Sequence, residues 1–159
     1  MNDKDWEKAW RFSNIVTGWF APIGILARLL VRKGMRQLLN NLHIQKPSIL
    51  ELGAGTGLDS EWLVKKFGGK ALLVDNCDYI ISKSKKYFRR KKLDIAILNS
   101  NVEDVKFKNR YDLVYSVGLL EHFYGGDLYK IFKKHMNASK KTGYVMIFVP
   151  NDKWIYRCY

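Results

Sequence analysis

The run Glu51-Leu52-Gly53-Ala54-Gly55-Thr56-Gly57 joins a carboxylate to three closely spaced glycines. Glycines permit a tight turn and let the main chain approach a ligand with no side chain in the way. A short apolar run, Ser48-Ile49-Leu50-Glu51-Leu52, leads into these glycines, and residues 59–67 follow with Trp62, Leu63 and Phe67 at helical spacing. The glycines therefore connect a strand to a helix. A helix start offers unpaired N–H groups that favour a negatively charged ligand group, and the carboxylate of an amino-acid-like cofactor suits that place. A dinucleotide fold wants G-x-G-x-x-G, whereas the spacing here is G-x-G-x-G with a glutamate two residues ahead. No Gly-Lys-Ser/Thr follows, which excludes a phosphate-binding P-loop. Taken alone, the loop also fits a bare strand-to-helix turn.

Other reactive side chains fall at the ends of later apolar runs. Asp75 ends Ala71-Leu72-Leu73-Val74 and is followed by Asn76. Its carboxylate suits ribose hydroxyls, or it caps the next helix. Glu121 and His122 follow the run Leu113 to Val117. His122 fits a base or an acceptor-pocket wall, and equally a residue packed on the following helix. Asn151 and Asp152 either contact an acceptor or turn the chain after Pro150. Cys77 and Cys158 have neither metal spacing nor a disulfide framework, so no metal is implied. They read as free thiols in a reducing compartment, which points to the cytoplasm.

The elements that must position these groups alternate regularly. With 159 residues, 47% of them hydrophobic and 27% charged, the chain has the composition of one globular domain. Strands are expected at 48–52, 71–74, 95–98, 113–117 and 144–149, and helices at 59–67, 79–92 and from Leu119 to about Met136. Continuous apolar strands imply a parallel sheet covered on both faces. The fold class is α/β, doubly wound and mostly parallel. Residues 1–46 read as an N-terminal helical segment, with helices over 3–12 and from Leu26 to Leu42, the latter with a basic outer face. Residues 47–159 form the ligand-binding domain. The apolar stretch from Ile15 to Val31 is broken by Gly18, Pro22, Gly24 and Arg28 and falls short of the ~20 residues of a membrane span. It reads as a buried or interfacial helix.

In order along the chain, these motifs resemble the class I, Rossmann-like methyltransferases that use S-adenosylmethionine, from about Ser48 to Asn151 and closest to the small-molecule type. The resemblance implies strand order 3-2-1-4-5. It implies that Glu51, Gly53, Ala54, Gly55 and Gly57 hold the methionine portion, that Asp75 and Asn76 take the ribose, and that Asn101 and Val102, in Asn99-Ser100-Asn101-Val102-Glu103-Asp104, frame adenine. The family often has Asp where this chain has Asn101. Tyr111-Asp112-Leu113-Val114-Tyr115-Ser116-Val117 through Glu121-His122-Phe123 is similar to its fourth-strand motif, which adds Ser116 to the cofactor contacts and His122 as a catalytic candidate. Val149-Pro150-Asn151 resembles the end of its fifth strand.

Absences narrow the reaction. No Asn-Pro-Pro-Tyr-like run follows the fourth strand, as adenine N-methylation in DNA would require, and no Pro-Cys serves cytosine C5 chemistry. A small-molecule acceptor, lipid-like or quinone-like, is the leading expectation. An RNA or protein acceptor is the alternative, and so is a non-catalytic cofactor-binding subunit of a partner enzyme. The 28 Lys and Arg against 15 Asp and Glu give a net charge of +13, which suits nucleic acid or an anionic membrane surface, and equally a solvated lysine-rich face. The run from Lys83 to Lys92 carries the same two readings. Family members usually continue with a helix and two more strands, whereas this chain ends at Tyr159. An exposed fifth-strand edge is therefore expected to pair in a homodimer or to be covered by the N-terminal helices.

Overall fold

The computed structural model describes Lys8, Leu26 and residues 28–149. The expected helix over 3–12 lies outside them except for Lys8, and so do Asn151, Asp152 and Cys158. A helix over residues 28–41 (α1) leads into β1 (Ser48–Leu52), α2 (Leu58–Phe67), β2 (Lys70–Asp75), α3 (Asp78–Phe88), β3 (Ile95–Asn99) and β4 (Tyr111–Val117). A 3-10 turn, Leu120–His122, then precedes α4 (Gly125–Ala138) and β5 (Ser139–Phe148).

The five strands form one sheet in the order β3-β2-β1-β4-β5, every neighbouring pair parallel. This is the Rossmann-like order expected. Alternation along each strand sends side chains to two helical layers. On one face Met35 and Leu39 of α1 and Leu63 and Val64 of α2 cluster with Ile49, Ala71, Leu113 and Tyr115. Phe88 of α3 joins that face through Leu73. On the other face Ile131 and Ala138 of α4 pack on Leu50, Leu52, Val74 and Val114. The order reverses between β1 and β4, the switch point at whose strand carboxyl ends open α/β sheets bind their ligands.

Three elements differ from the expected pattern. The helix expected from Leu119 is interrupted, because Phe123 turns extended (φ −117°, ψ 146°) and packs against the α4-side core. A continuous helix gives way to that burial. The fifth strand starts at Ser139 rather than Tyr144, with a register slip between Tyr111↔Ser139 and Leu113↔Tyr144. Lys140 inside the slipped segment pairs with Asp112 at 2.8 Å, which ties the irregular turn to β4. The basic outer face of α1 is only partly outward. Arg32 Nε donates to Asp59 Oδ1 at 2.8 Å, its Nη2 donates to the Leu58 carbonyl, and Arg28 lies 3.6 Å from Asp59. Arg32 and Arg36 also lie over the Trp62 ring.

Among the described residues β5 pairs only with β4, so it is an edge strand. α1 lies over its face, where Phe148 approaches Gly34, and not along its hydrogen-bonding edge.

Candidate functional site

Three of the five residues in the loop after β1 are left-handed. Gly53, Gly55 and Gly57 have φ of 66°, 51° and 67°, a region that side-chain-bearing residues rarely adopt. A Cβ on Gly53 would stand 2.8 Å from Leu119 Cδ1, and one on Gly57 would stand 2.3 Å from Leu73 Cδ1. Gly57 serves as N-cap of α2, whose first turn carries Asp59 and Glu61. Ala54 is buried and its N–H donates to the Val74 carbonyl, which holds the loop against the end of β2.

Asp75 fastens the same loop from the other side. Its Oδ2 accepts from Gly55 N at 2.8 Å and its Oδ1 accepts from Cys77 N at 2.9 Å. Cys77 is the residue that caps α3, so Asp75 joins the loop to the start of that helix. An ionised carboxylate has about four acceptor positions, and two remain for hydroxyl donors. Asn76 sits next to it, half-buried.

Glu51 lies beneath the loop and is 4% exposed. Ser60 Oγ donates to its Oε2 at 2.7 Å, and the Tyr115 hydroxyl lies 2.8 Å from the same Ser60 Oγ. Burial pushes the Glu51 carboxyl up to about 8, with the Ser60 and Tyr115 hydrogen bonds pulling the other way. Burial, and then the charge of Glu51, also raise the Tyr115 hydroxyl well above the usual phenol range. Glu51 is therefore a protonated acid at neutral pH until a positive group comes near it.

Past β3, Asn101 Oδ1 accepts from Glu103 N at 3.0 Å, closing a local turn, while Val102 is buried in the α4-side core. Ser100 N donates to the Asp75 carbonyl and so sets this turn beside Asp75. Past β4, Gly118 has φ 68° and leads to Leu119, which abuts Gly53. Glu121 folds back over this turn, its Oε1 within 3.3 Å of a Cβ built on Gly118. The other oxygen of Glu121 is buried and has no hydrogen-bond partner among the described residues. His122 is exposed at the rim.

Glu51, the glycines, Asp75, Asn101, Val102 and the turn after β4 thus all lie at or just past the carboxyl ends of β1 to β4, on one edge of the sheet. Ser116 is directed elsewhere. Its hydroxyl meets Nε2 of His135 on α4 at 3.0 Å, with both residues fully buried. The His135 Nδ1 lies 2.8 Å from the Ile131 carbonyl, which only accepts, so Nδ1 carries the proton and Nε2 accepts from Ser116. His135 did not stand out in the sequence. Its i+4 spacing from Ile131 within an amphipathic helix was the available signal.

The parallel 3-2-1-4-5 sheet and the glycine cleft at its switch point define the class I methyltransferase fold. A family model described as "Methyltransferase domain" matches residues 49–143, and the chain belongs to that family. The cofactor of its class is S-adenosylmethionine. The chain is 33% identical over 96 residues to a Methanocaldococcus jannaschii protein provisionally named a methyltransferase, a match covering 56% of this chain and 36% of the other. It is 29% identical over 110 residues to the malonyl-[acyl-carrier protein] O-methyltransferase of Priestia megaterium, covering 69% and 39%. The chain thus spans well under half the length of these relatives. A crystal structure from Methanococcus maripaludis, provisionally described as an S-adenosylmethionine-dependent methyltransferase, superposes with a TM-score of 0.68 at 21% identity, covering 89% of this chain and 62% of the other.

Two features of the cleft fit that cofactor. The left-handed glycine loop brings main chain, free of side chains, to the end of β1, where a Cβ at Gly53 would stand 2.8 Å from Leu119 Cδ1. The Glu121 oxygen without a hydrogen-bond partner among the described residues is an acceptor suited to a ligand's ammonium group, and Glu51 would be one as a carboxylate, a form that a nearby positive charge favours.

Proposed function

We propose that this domain binds S-adenosylmethionine in the cleft bounded by Gly53, Asp75 and Leu119 and transfers its methyl group to a small, apolar acceptor. The observation that carries the reading is the Gly55 N–Asp75 Oδ2 bond of 2.8 Å, which locks the left-handed loop beside the carboxylate that would face the ribose. When bound, the cofactor supplies an activated methyl group, and the protein's task is to position the acceptor and exclude water.

The chain's own groups divide that task. The glycine loop and the turn at Asn101 grip the two ends of the ligand, and Leu119 shields the middle. Glu51 would meet the positive amino-acid end of the ligand as a carboxylate, its proton passing to solvent as the cofactor binds. His122 at the rim takes a proton from an acceptor that carries one, and an acceptor without one needs no base. An apolar acceptor is supported by the exposed leucines at the start of α1, beside the loop. The malonyl group named for the Priestia relative is an acyl-linked acceptor. Among the described residues β5 is an edge strand, and pairing of two copies through it is part of this reading.

The test is calorimetry and thermal unfolding with S-adenosylmethionine and S-adenosylhomocysteine. Ligand at about 100 times its Kd stabilises a folded protein by roughly 2.7 kcal/mol, a rise of several degrees in Tm for a domain of this size. An unchanged Tm at millimolar ligand would overturn the reading. Asp75→Ala should abolish the rise while the variant remains folded.

A further inference from the structure

We propose that the face formed by α1, α2 and α3 docks the protein on an anionic lipid surface, with Leu26, Leu29 and Leu30 entering the interface. The three helices share one side of the sheet, as their common packing on Ile49, Ala71, Leu73 and Leu113 requires. They touch one another through Arg36 over Trp62 and through Tyr87 Oη donating to Glu61. Their outer surface carries Lys33, Arg36, Lys66, Lys86, Arg89 and Arg90, all exposed.

The carboxylates of this layer do not offset that charge at the surface. Asp59 and Glu61 are buried and already paired, the first with Arg28 and Arg32, the second with Lys65 and Lys91. Asp78 and Asp94, the exposed acids here, stand at the ends of α3 and β3. In the sequence no Asp or Glu occurs between Glu7 and Glu51. The charge complement of such a face is a polyanion.

Leucines decide which polyanion. Leu26, Leu29 and Leu30 are 58%, 57% and 61% exposed, on the side of the helix away from Met35 and Leu39. Isolated exposed leucines are ordinary, but three in one turn beside Lys33 are the pattern of a helix lying in a lipid interface. RNA would be held by the cations and gains little from the leucines. Among the described residues no helix is long and apolar enough to cross a membrane, so the contact is one of surface docking. The start of α1 lies beside the first turn of α2, through Arg32 and Leu58. Docking through this end of α1 would bring the first turn of α2, and with it Gly57, toward the lipid surface.

Sedimentation of the full chain with lipid vesicles tests this without cofactor, so its outcome is independent of the methyl-transfer reading. At about 0.15 M salt, the protein is expected to pellet with vesicles of phosphatidylcholine and phosphatidylserine. It should pellet at least about tenfold less with phosphatidylcholine alone. Leu29→Glu with Leu30→Glu should reduce pelleting by a similar factor. Lys86→Glu, Arg89→Glu and Arg90→Glu together, all on exposed positions, give a second variant whose fold does not depend on α1. Failure to pellet with the anionic vesicles would overturn the proposal. So would pelleting of folded leucine variants equal to the parent, or tighter retention on single-stranded RNA than on vesicles at that salt.

Discussion

A carboxyl group sealed under a glycine loop makes folding sensitive to pH in a defined direction. Glu51 has a folded value of about 8 against an ordinary value of 4.5. The folded protein therefore holds this proton over a range in which the unfolded chain has released it. Stability should fall as pH rises from about 5 to 8, with a slope of up to about 1.4 kcal/mol per unit from this group, and be independent of Glu51 above that range. Glu51→Gln, which keeps the hydrogen bond from Ser60, should flatten the slope in denaturant titrations and raise stability at pH 8. A slope unchanged in the variant would show that Glu51 is ionised in its pocket. The same variant should bind S-adenosylmethionine more weakly, because the released proton and the resulting charge are what the ligand's positive end draws on.

Gly53 gives a second prediction at this scale. Alanine there combines a left-handed φ with a contact to Leu119 tighter than packing allows. Gly53→Ala should cost on the order of 1–3 kcal/mol in stability and remove cofactor binding, read by calorimetry. The glycine loop was legible in the sequence because main-chain geometry sets it, and glycine spacing records that geometry directly. Ser116 was legible only as part of a motif. Which way a buried hydroxyl on a strand points depends on the helix packed over it, and the partner here, His135, is distant in sequence.

The pairing of β4 with α4 depends on that contact. Ser116→Ala leaves His135 Nε2 buried without a donor, and an unsatisfied buried acceptor costs about 1–3 kcal/mol. Urea unfolding should show that loss with an unchanged m-value. Burial holds the His135 pKa below its ordinary value of 6.5, opposed by its bond to the Ile131 carbonyl. The sign is opposite to that of Glu51. Above about pH 6.5 the ring is neutral in both states and nothing changes. Below it the unfolded chain takes a proton that the folded one resists, so this group destabilises the fold as pH falls. His135→Gln should lessen the decline between pH 6.5 and 5.

At the element scale the order of strands and helices was legible, since each strand is a continuous apolar run and each helix has one apolar stripe. β1 agrees with expectation at both ends. The break at Phe123 and the early start of β5 were not legible. Both arise from tertiary demands, the burial of one aromatic ring and the Lys140–Asp112 pair, that local periodicity does not contain. The orientation of Arg28 and Arg32 has the same origin. Helical spacing placed them outside, and the buried carboxylate of Asp59 turned them inward.

Across the whole molecule the charge imbalance has two consequences of opposite sign in salt. The net charge is +13. Asp59, Glu61, Asp112 and Asp127 each have a cation within 4 Å, so the local attractions are already made and the remaining cations act mainly through repulsion. Screening weakens distant repulsions more than close pairs, because the Debye length shortens from about 30 Å at 0.01 M salt to about 8 Å at 0.15 M. The Tm should therefore rise over that interval, by a few degrees if the relief is on the order of 1 kcal/mol. The same change of salt should loosen the protein from anionic vesicles, since there the cations act by attraction. Unfolding scans and vesicle sedimentation at matched ionic strengths would separate the two effects. A Tm that falls with salt would mean that ion pairs such as Arg32–Asp59 outweigh the repulsion among the exposed cations.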